Sequence, residues 1–178
     1  MAVKEQKIIV DAMIDGKTFS EYALFDVLAR QKRWRRPLLF AAIFTAFSLL
    51  AFSRRGETGQ AALLGGVLLG VGWILPLGYL LSFFLSVRRQ SRAMDGKRSA
   101  YTLELGEDGL TVTKGEQILR VAWKNLVAAY RLKRSICLYT DAMHAFLLPR
   151  ACGEARFEAA WTRIRQKLDP GKCRDRAK

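Results

Sequence analysis

The sequence predicts a membrane α-helical hairpin together with an α+β domain, in which an antiparallel sheet meander is followed by a C-terminal amphipathic helix. Three observations give this fold class. Residues 37–53 and 61–87 are long apolar stretches without a charged side chain. Residues 100–149 alternate apolar and polar side chains between short turns, which is typical of strands. Residues 157–168 then place apolar side chains at helical spacing.

Charge is strongly segregated along the 178 residues, which leave room for one modest domain beside the hairpin. Residues 1–36, 37–87 and 88–178 carry net charges of +3, +1 and +10 within a total of +14. A sequence pI near 10.2 would suggest a nucleic-acid partner for a soluble protein. Here Lys and Arg crowd the edges of the apolar stretches, as the positive-inside rule describes, and we therefore expect no nucleic acid.

The two apolar stretches differ in length relative to a bilayer. The first, from Pro37 to Phe52, covers about 24 Å as a helix, against about 30 Å of hydrocarbon. The second, from Ala61 to Val87, covers about 40 Å, so it should tilt, kink at Pro76 or project. A hairpin buried in a soluble core is the alternative, but a domain of this size could not surround so long an uncharged helix.

Basic residues flank the hairpin on one side of the predicted membrane. Ten of them precede span one or follow span two: Arg30, Lys32, Arg33, Arg35, Arg36, Arg88, Arg89, Arg92, Lys97 and Arg98. The loop of residues 54–60 has only Arg54 and Arg55, offset by Glu57. The positive-inside rule then predicts a multi-pass protein with both termini in the cytoplasm and an external loop too short to hold a site.

Five arginines next to the spans are candidate contacts for membrane lipid. They are Arg33, Arg35, Arg36, Arg88 and Arg89. Each basic side chain near an anionic leaflet contributes about 1 kcal/mol of binding. The alternative is that these residues only set the topology.

Small residues at a spacing of four are candidate helix-packing positions. They are Ala42 and Ala46 in span one and Gly66 and Gly70 in span two. Small side chains let helix backbones approach closely. Packing of the two spans within one chain and homodimerisation would both use them. Neither span holds an ionisable residue, so a transport role is disfavoured.

The N-terminal segment, residues 1–36, is predicted to be a cytoplasmic strand and an amphipathic helix. Residues 7–14 are β-prone, and Asp15-Gly16 marks a turn. Thr18 and Glu21 have the spacing of a capping box, which predicts the start of the helix. Pro37 would be the boundary with span one.

After a basic linker at residues 88–99, residues 100–169 form the predicted cytoplasmic domain. Its six strands are expected at residues 101–105, 110–112, 118–123, 127–132, 136–140 and 144–149. Phe157, Trp161, Ile164 and Leu168 then form one apolar stripe of a helix that ends at residues 169–171. Residues 170–178 are predicted to be a frayed basic tail.

Within this pattern, residues 101–161 resemble the YcxB-like family of two-span bacterial membrane proteins. The resemblance lies in Glu107-Asp108-Gly109-Leu110, in Trp123-Lys124-Asn125-Leu126 and in Leu147-Leu148-Pro149-Arg150. It implies a C-terminal pleckstrin-homology-like domain and a location in the bacterial inner (plasma) membrane. The family has no established activity, so the resemblance implies a fold and a location alone.

No catalytic motif or metal-ligand spacing is recognisable in the sequence. The sole histidine, His144, lies in a predicted strand, and Cys137, Cys152 and Cys173 are expected to be reduced thiols. We therefore expect a non-enzyme without cofactor or metal. One hypothesis is a membrane-tethered interaction module that binds a protein segment or lipid head groups. The alternative is an accessory subunit of a larger membrane complex that docks through its hairpin; the protein partner is unknown in both cases.

Overall fold

The chain divides into two compact units, one of which combines two separate stretches of the sequence. The computed structural model describes residues 7–53, 59–96 and 99–177. We call residues 1–22 together with 90–178 the sheet unit, and residues 23–89 the hairpin unit. The predicted N-terminal segment at residues 1–36 is therefore divided between the two units. Its strand and the start of its helix belong to the same unit as the C-terminal domain.

Eight strands lie in the described part of the sheet unit. They are β1 (Ile8–Ile14), β2 (Ser99–Leu105), β3 (Gly109–Lys114), β4 (Gln117–Ala122), β5 (Ala128–Arg131), β6 (Ser135–Tyr139), β7 (Ala145–Pro149) and β8 (Cys173–Asp175). Strands β2 to β7 coincide with the six predicted segments, and β1 with the β-prone stretch at residues 7–14. The antiparallel sheet and the α+β class are confirmed.

The strands form two four-stranded sheets. The first has the order β1-β2-β3-β4 and is antiparallel throughout. The second has the order β7-β6-β5-β8, where β8 joins β5 in parallel. In the first sheet, β1 and β2 pair along their whole length, from Ile8 with Leu105 to Ile14 with Ser99. The hairpin unit is thus inserted in sequence between two neighbouring strands.

One hydrophobic core joins both sheets to helix α4 (Glu154–Lys167). From α4 it receives the side chains of Phe157, Ala160, Trp161 and Ile164, all buried. Burial of each large apolar side chain contributes about 1.5–3 kcal/mol to folding. Tyr101 ties the sheets together, since its hydroxyl accepts the Leu147 N–H at 2.9 Å and donates to the Leu147 carbonyl.

Helix α1 (Gly16–Leu24) begins with a cap that the sequence pattern did not predict. The carboxylate of Asp15 accepts the Thr18 N–H at 2.8 Å, and hydrogen bonds from Thr18 lower the pKa of Asp15. The predicted capping box of Thr18 and Glu21 is wrong, because Glu21 accepts the Arg134 N–H at 2.9 Å instead. The Tyr22 ring also contacts Tyr139 of β6, 6.3 Å between centroids.

The hairpin unit contains two helices that are long and apolar enough to cross a membrane: α2 (Arg35–Ser53) and most of α3 (Gly59–Gly96). At a rise of about 1.5 Å per residue they measure about 28 Å and 57 Å. Only 11% of the most apolar window of each helix is buried, whereas the core helix of a soluble protein would be mostly buried. A π-helical segment, Phe25–Arg30, precedes α2.

Several predicted boundaries move. Helix α2 begins two residues before Pro37, which fits its first turn because the first helical N–H groups have no partner within the helix. Helix α3 runs through Pro76 and on to Gly96, so most of the predicted linker at residues 88–99 is helical. Of the predicted loop at residues 54–60, residues 54–58 lie outside the described residues. The tail predicted to fray contains a 3₁₀ turn at Pro170–Lys172 and strand β8.

Candidate interaction surfaces

The predicted lipid-contact arginines lie at one end of the hairpin unit. Arg33 precedes α2, and Arg35 and Arg36 begin it. Arg88 and Arg89 lie late in α3, and all five are exposed. Helices α2 and α3 are antiparallel neighbours, since Ser48 Oγ donates to the Gly65 carbonyl at 2.7 Å and Trp73 Nε1 donates to Thr45 Oγ1 at 3.2 Å. The start of α2 and the late part of α3 therefore share an end.

Contact between α2 and α3 does not use the predicted small residues. Ala42, Ala46 and Gly66 are exposed and Gly70 is partly exposed. A Cβ added at Gly66 or Gly70 would have no described neighbour within 4 Å beyond its own helix backbone. These four residues therefore do not form the described contact between α2 and α3, and their role in helix packing stays a prediction.

The helices meet instead along a face one residue away in sequence. Gly65 and Gly72 of α3 are buried against Phe52 and Phe44 of α2. At Gly72 a Cβ would come within 2.5 Å of the Phe44 Cβ, so no larger residue fits without a shift. One residue rotates a helix face by about 100°, which turns Gly66 and Gly70 out of this contact.

The four small residues share one flank of the hairpin. Each is rotated about its helix axis by about 100–140° from the contact face, counted along the chain at about 100° per residue. Because the two right-handed helices are antiparallel, this rotation leads to the same side in both. The hydrogen bond between Thr45 and Trp73 marks that side, since both residues are displaced from the contact face in this direction. Ala42, Ala46, Gly66 and Gly70 thus form what we call the small-residue flank.

In the sheet unit, β4 is an unpaired edge strand. No described strand pairs with its outer side, so its outward N–H and C=O groups are a template for an added strand. Ile118 is 61% and Leu119 52% exposed, although both are large and apolar. The register places Leu119 beside Val112 and Val121 beside Leu110, so the core-facing side of the sheet continues to this open edge.

A groove of about 630 Å³ opens beside this edge. Such a volume falls within the range of about 300–1,000 Å³ that is typical of ligand pockets. Its walls come from β4, β7, the turn between β6 and β7, and α1; the lining residues are Tyr22, Leu119, Val121, Asn125, Thr140, Met143, His144, Ala145 and Phe146. The edge strand and the groove together form what we call the β4 surface.

Asp141 organises the turn at the rim of the groove. Its carboxylate accepts the N–H groups of Met143 and His144 at 2.6 and 2.8 Å and contacts His144 Nδ1 at 2.7 Å. The backbone hydrogen bond from Met143 is the main cause that lowers the pKa of Asp141. The turn holds Met143, which is 65% exposed, beside the apolar side chains of β4 and β7.

The outer edge of β5 is covered, in contrast to that of β4. Strand β8 pairs Cys173 with Ala129 and Asp175 with Arg131. A second cavity of about 300 Å³ adjoins β8 and is lined by Trp161, Arg165, Pro170, Cys173 and Asp175. Strand β8 was not predicted, because its residues are mostly polar and too few to show an alternation of apolar and polar side chains.

No group of three or more His, Cys, Asp or Glu side chains that could hold a metal ion occurs among the described residues. Cys137, Cys152 and Cys173 form no disulfide with one another, and burial raises the pKa of Cys152 and of Cys173. Comparison of the chain with protein-family models, with curated proteins and with solved structures gives no match. The class that fold and surfaces define is therefore an α+β protein with two helices of membrane-spanning length.

Proposed function

We propose that this chain is a non-enzymatic, multi-pass protein of the bacterial inner membrane that presents a pleckstrin-homology-like interaction domain at the cytoplasmic face. The proposal agrees with the resemblance to the YcxB-like family. It is supported by the strand order, in which two sheets surround a core closed by a following helix. The five exposed arginines at one end of the hairpin unit would lie at the lipid head groups.

Pairing of β1 with β2 supports the proposed topology. These strands flank the hairpin unit in sequence and pair over seven residues. Two segments on opposite sides of a bilayer could not pair, so the chain between them must cross an even number of times. The distribution of Lys and Arg favours the cytoplasm for that side.

The topology is testable with a cysteine placed on the exposed side of α4. Thr162→Cys in the full chain, with the three native cysteines replaced by Ala, should react with a membrane-impermeant maleimide in inside-out vesicles and remain unlabelled in intact spheroplasts. Labelling in spheroplasts would contradict a cytoplasmic sheet unit.

The β4 surface is the observation that carries the interaction role. An extended segment of a partner protein could add to the free edge of β4 and place an apolar side chain in the groove beside Leu119. This edge is open, whereas the outer edge of β5 is covered by β8.

A matched pair of β4 variants tests this role. A photo-crosslinking residue in place of Met143 should give one discrete adduct in native membranes. Leu119→Arg, which places a charge in the groove, should abolish that adduct. Ile118→Arg should retain it, because Ile118 is equally exposed on the opposite face of the strand. Persistence of the adduct in the Leu119→Arg variant, or its absence from the parent chain, would refute the role.

The alternative function, an accessory subunit that docks through its hairpin, has support from one observation. The small-residue flank is left open by the contact between α2 and α3. Close backbone approach at such residues is a common basis of helix association in membranes. The occupant would be another subunit or, in a homodimer, a second copy.

Enlarging the flank tests the alternative. The double variant Gly66→Leu and Gly70→Leu should abolish co-purification of a partner, or of a differently tagged second copy, while the sheet unit stays folded. Leu64→Phe enlarges the opposite flank and should have no effect. Co-purification that survives the glycine replacements excludes docking at this flank.

A further inference from the structure

Strand β8, which covers the outer edge of β5, is held in place by few contacts. Strand β8 has three residues and pairs with β5 alone. The Arg176 N–H donates to the Arg131 carbonyl at 2.8 Å, and Cys173 is only partly buried against the core. Arg174 and Asp175 are exposed. A three-residue strand with so few contacts belongs to the least stable part of a fold and opens most readily.

Residues 173–176 leave part of the hydrogen-bonding capacity of Arg131 in β5 unused. Its guanidinium is largely buried, donates to Glu158 of α4 and packs over the Phe157 ring at 5.7 Å. The Asp175 carboxylate is 3.6 Å from Nη1, which is an ion pair longer than a hydrogen bond. Arg131 Nε is buried without an acceptor among the described residues.

This geometry leaves binding capacity at the β5 edge. A guanidinium can donate five hydrogen bonds in a planar fork, and a carboxylate that meets two of them is bound more tightly than one at ion-pair distance. Residues 173–176 therefore satisfy only some of the hydrogen-bond donors of Arg131 at this edge. A segment with the same backbone direction and a better-placed carboxylate would replace these residues.

We propose that the outer edge of β5 is a second binding site, for an extended segment of a partner protein that carries one carboxylate opposite Arg131, and that residues 173–176 are its resident internal competitor. The segment would run parallel to β5. It would carry a small apolar residue at the position of Cys173 and a carboxylate two residues later, at that of Asp175, because alternate residues of a strand share a face. Its carboxylate would bind Arg131 beside the cavity at Trp161.

The inference deepens the proposed interaction role and rests on it, yet the two can fail separately. The crosslink at Met143 reports the β4 surface, while the β5 site is measured with a peptide and without any cellular partner. A chain that binds the peptide but gives no crosslink would retain the β5 site and lose the β4 surface.

The test uses the full chain in detergent micelles and a variant that ends at Lys172. The probe is a fluorescent peptide with the sequence of residues 171–177, GKCRDRA, and the control peptide is GKCRNRA. The shortened chain should bind the first peptide at least about tenfold more tightly than the full chain does, because the competitor is gone. It should bind the Asn peptide about tenfold more weakly, because that peptide lacks the carboxylate that pairs with Arg131.

Equal binding of both peptides by the folded shortened chain would overturn the proposal, as would no binding at all. A tail-dependent doubling of mass in the full chain would also overturn it, since the site would then serve a second copy. If the shortened chain does not fold, Asp175→Lys in the full chain replaces it. Amide exchange of residues 128–131 should then quicken about tenfold while that of residues 109–114 stays unchanged; unchanged exchange at β5 contradicts an exchangeable tail.

Discussion

The hydroxyl of Tyr101 offers a sharp test of how the two sheets are joined. In Tyr101→Phe, the N–H and the carbonyl of Leu147 both lose their partner, and Leu147 is only 5% exposed. A buried backbone group without a partner costs about 1–3 kcal/mol, so we expect the sheet unit to lose about 2 kcal/mol of stability. For a unit of this size the loss corresponds to a melting temperature lower by about 10 °C.

Thermal unfolding followed by tryptophan fluorescence in detergent measures this loss. Trp123 and Trp161 are buried in the sheet unit, so their emission reports its unfolding. Tyr79→Phe is the matched control, because Tyr79 is exposed on α3 and its hydroxyl makes no hydrogen bond to the described residues. Surface changes of this kind alter stability by about 0.5 kcal/mol or less. Equal melting temperatures for the two variants would refute the bridging role of Tyr101.

Three further outcomes are expected. Burial raises the pKa of Tyr101 above its ordinary 10.0, so above pH 10 the folded state keeps the phenol proton that the unfolded state releases. The contribution of Tyr101 to stability should therefore be full below pH 10 and fall above it. When both chains are melted between pH 9 and 11, the stability of Tyr101→Phe should fall less steeply than that of the parent chain. Gly109→Ala should destabilise the sheet unit by about 1–3 kcal/mol, because its Cβ would come within 2.1 Å of the Val121 carbonyl oxygen. The control Gly106→Ala should melt like the parent chain, because its Cβ would meet no atom closer than 3.5 Å. Gly72→Ala should lower the resistance of the hairpin unit to SDS, since its Cβ meets that of Phe44 at 2.5 Å, while Gly70→Ala should not; equal resistance would contradict the described contact face.

Local signals account for the parts of the fold that could be predicted. Strands β2 to β7 were predictable because side-chain alternation and turn residues act within about ten residues. The same signals identify β1 as a strand but cannot name its partner, since Ile14 pairs with Ser99 across the whole hairpin unit. Strand β8 escaped prediction because a free edge and Arg131 stabilise it, rather than its own polar sequence.

The surfaces were harder to predict than the strands. Spacing of four residues identified Gly66 and Gly70 as small residues on one face, but spacing cannot say which face meets the other helix. The better signal was a spacing of seven, shared by Gly65 and Gly72 in α3 and by Ala41 and Ser48 in α2, which is typical of antiparallel helix pairs. That β4 is an open edge depends on the order of all strands, which no single segment encodes.

Insertion of the hairpin unit between β1 and β2 has a consequence for synthesis. A ribosome adds about 5–20 residues per second, so about 4–17 s separate the emergence of Ile14 from that of its partner Ser99. During that interval the helices of the hairpin unit emerge. Strand β1 has no pairing partner until β2 follows, so its backbone and the side chains of Val10, Ala12 and Ile14 stay exposed. Strand β1 therefore has to stay protected until β2 emerges, which makes residues 8–14 the natural place for a chaperone to hold.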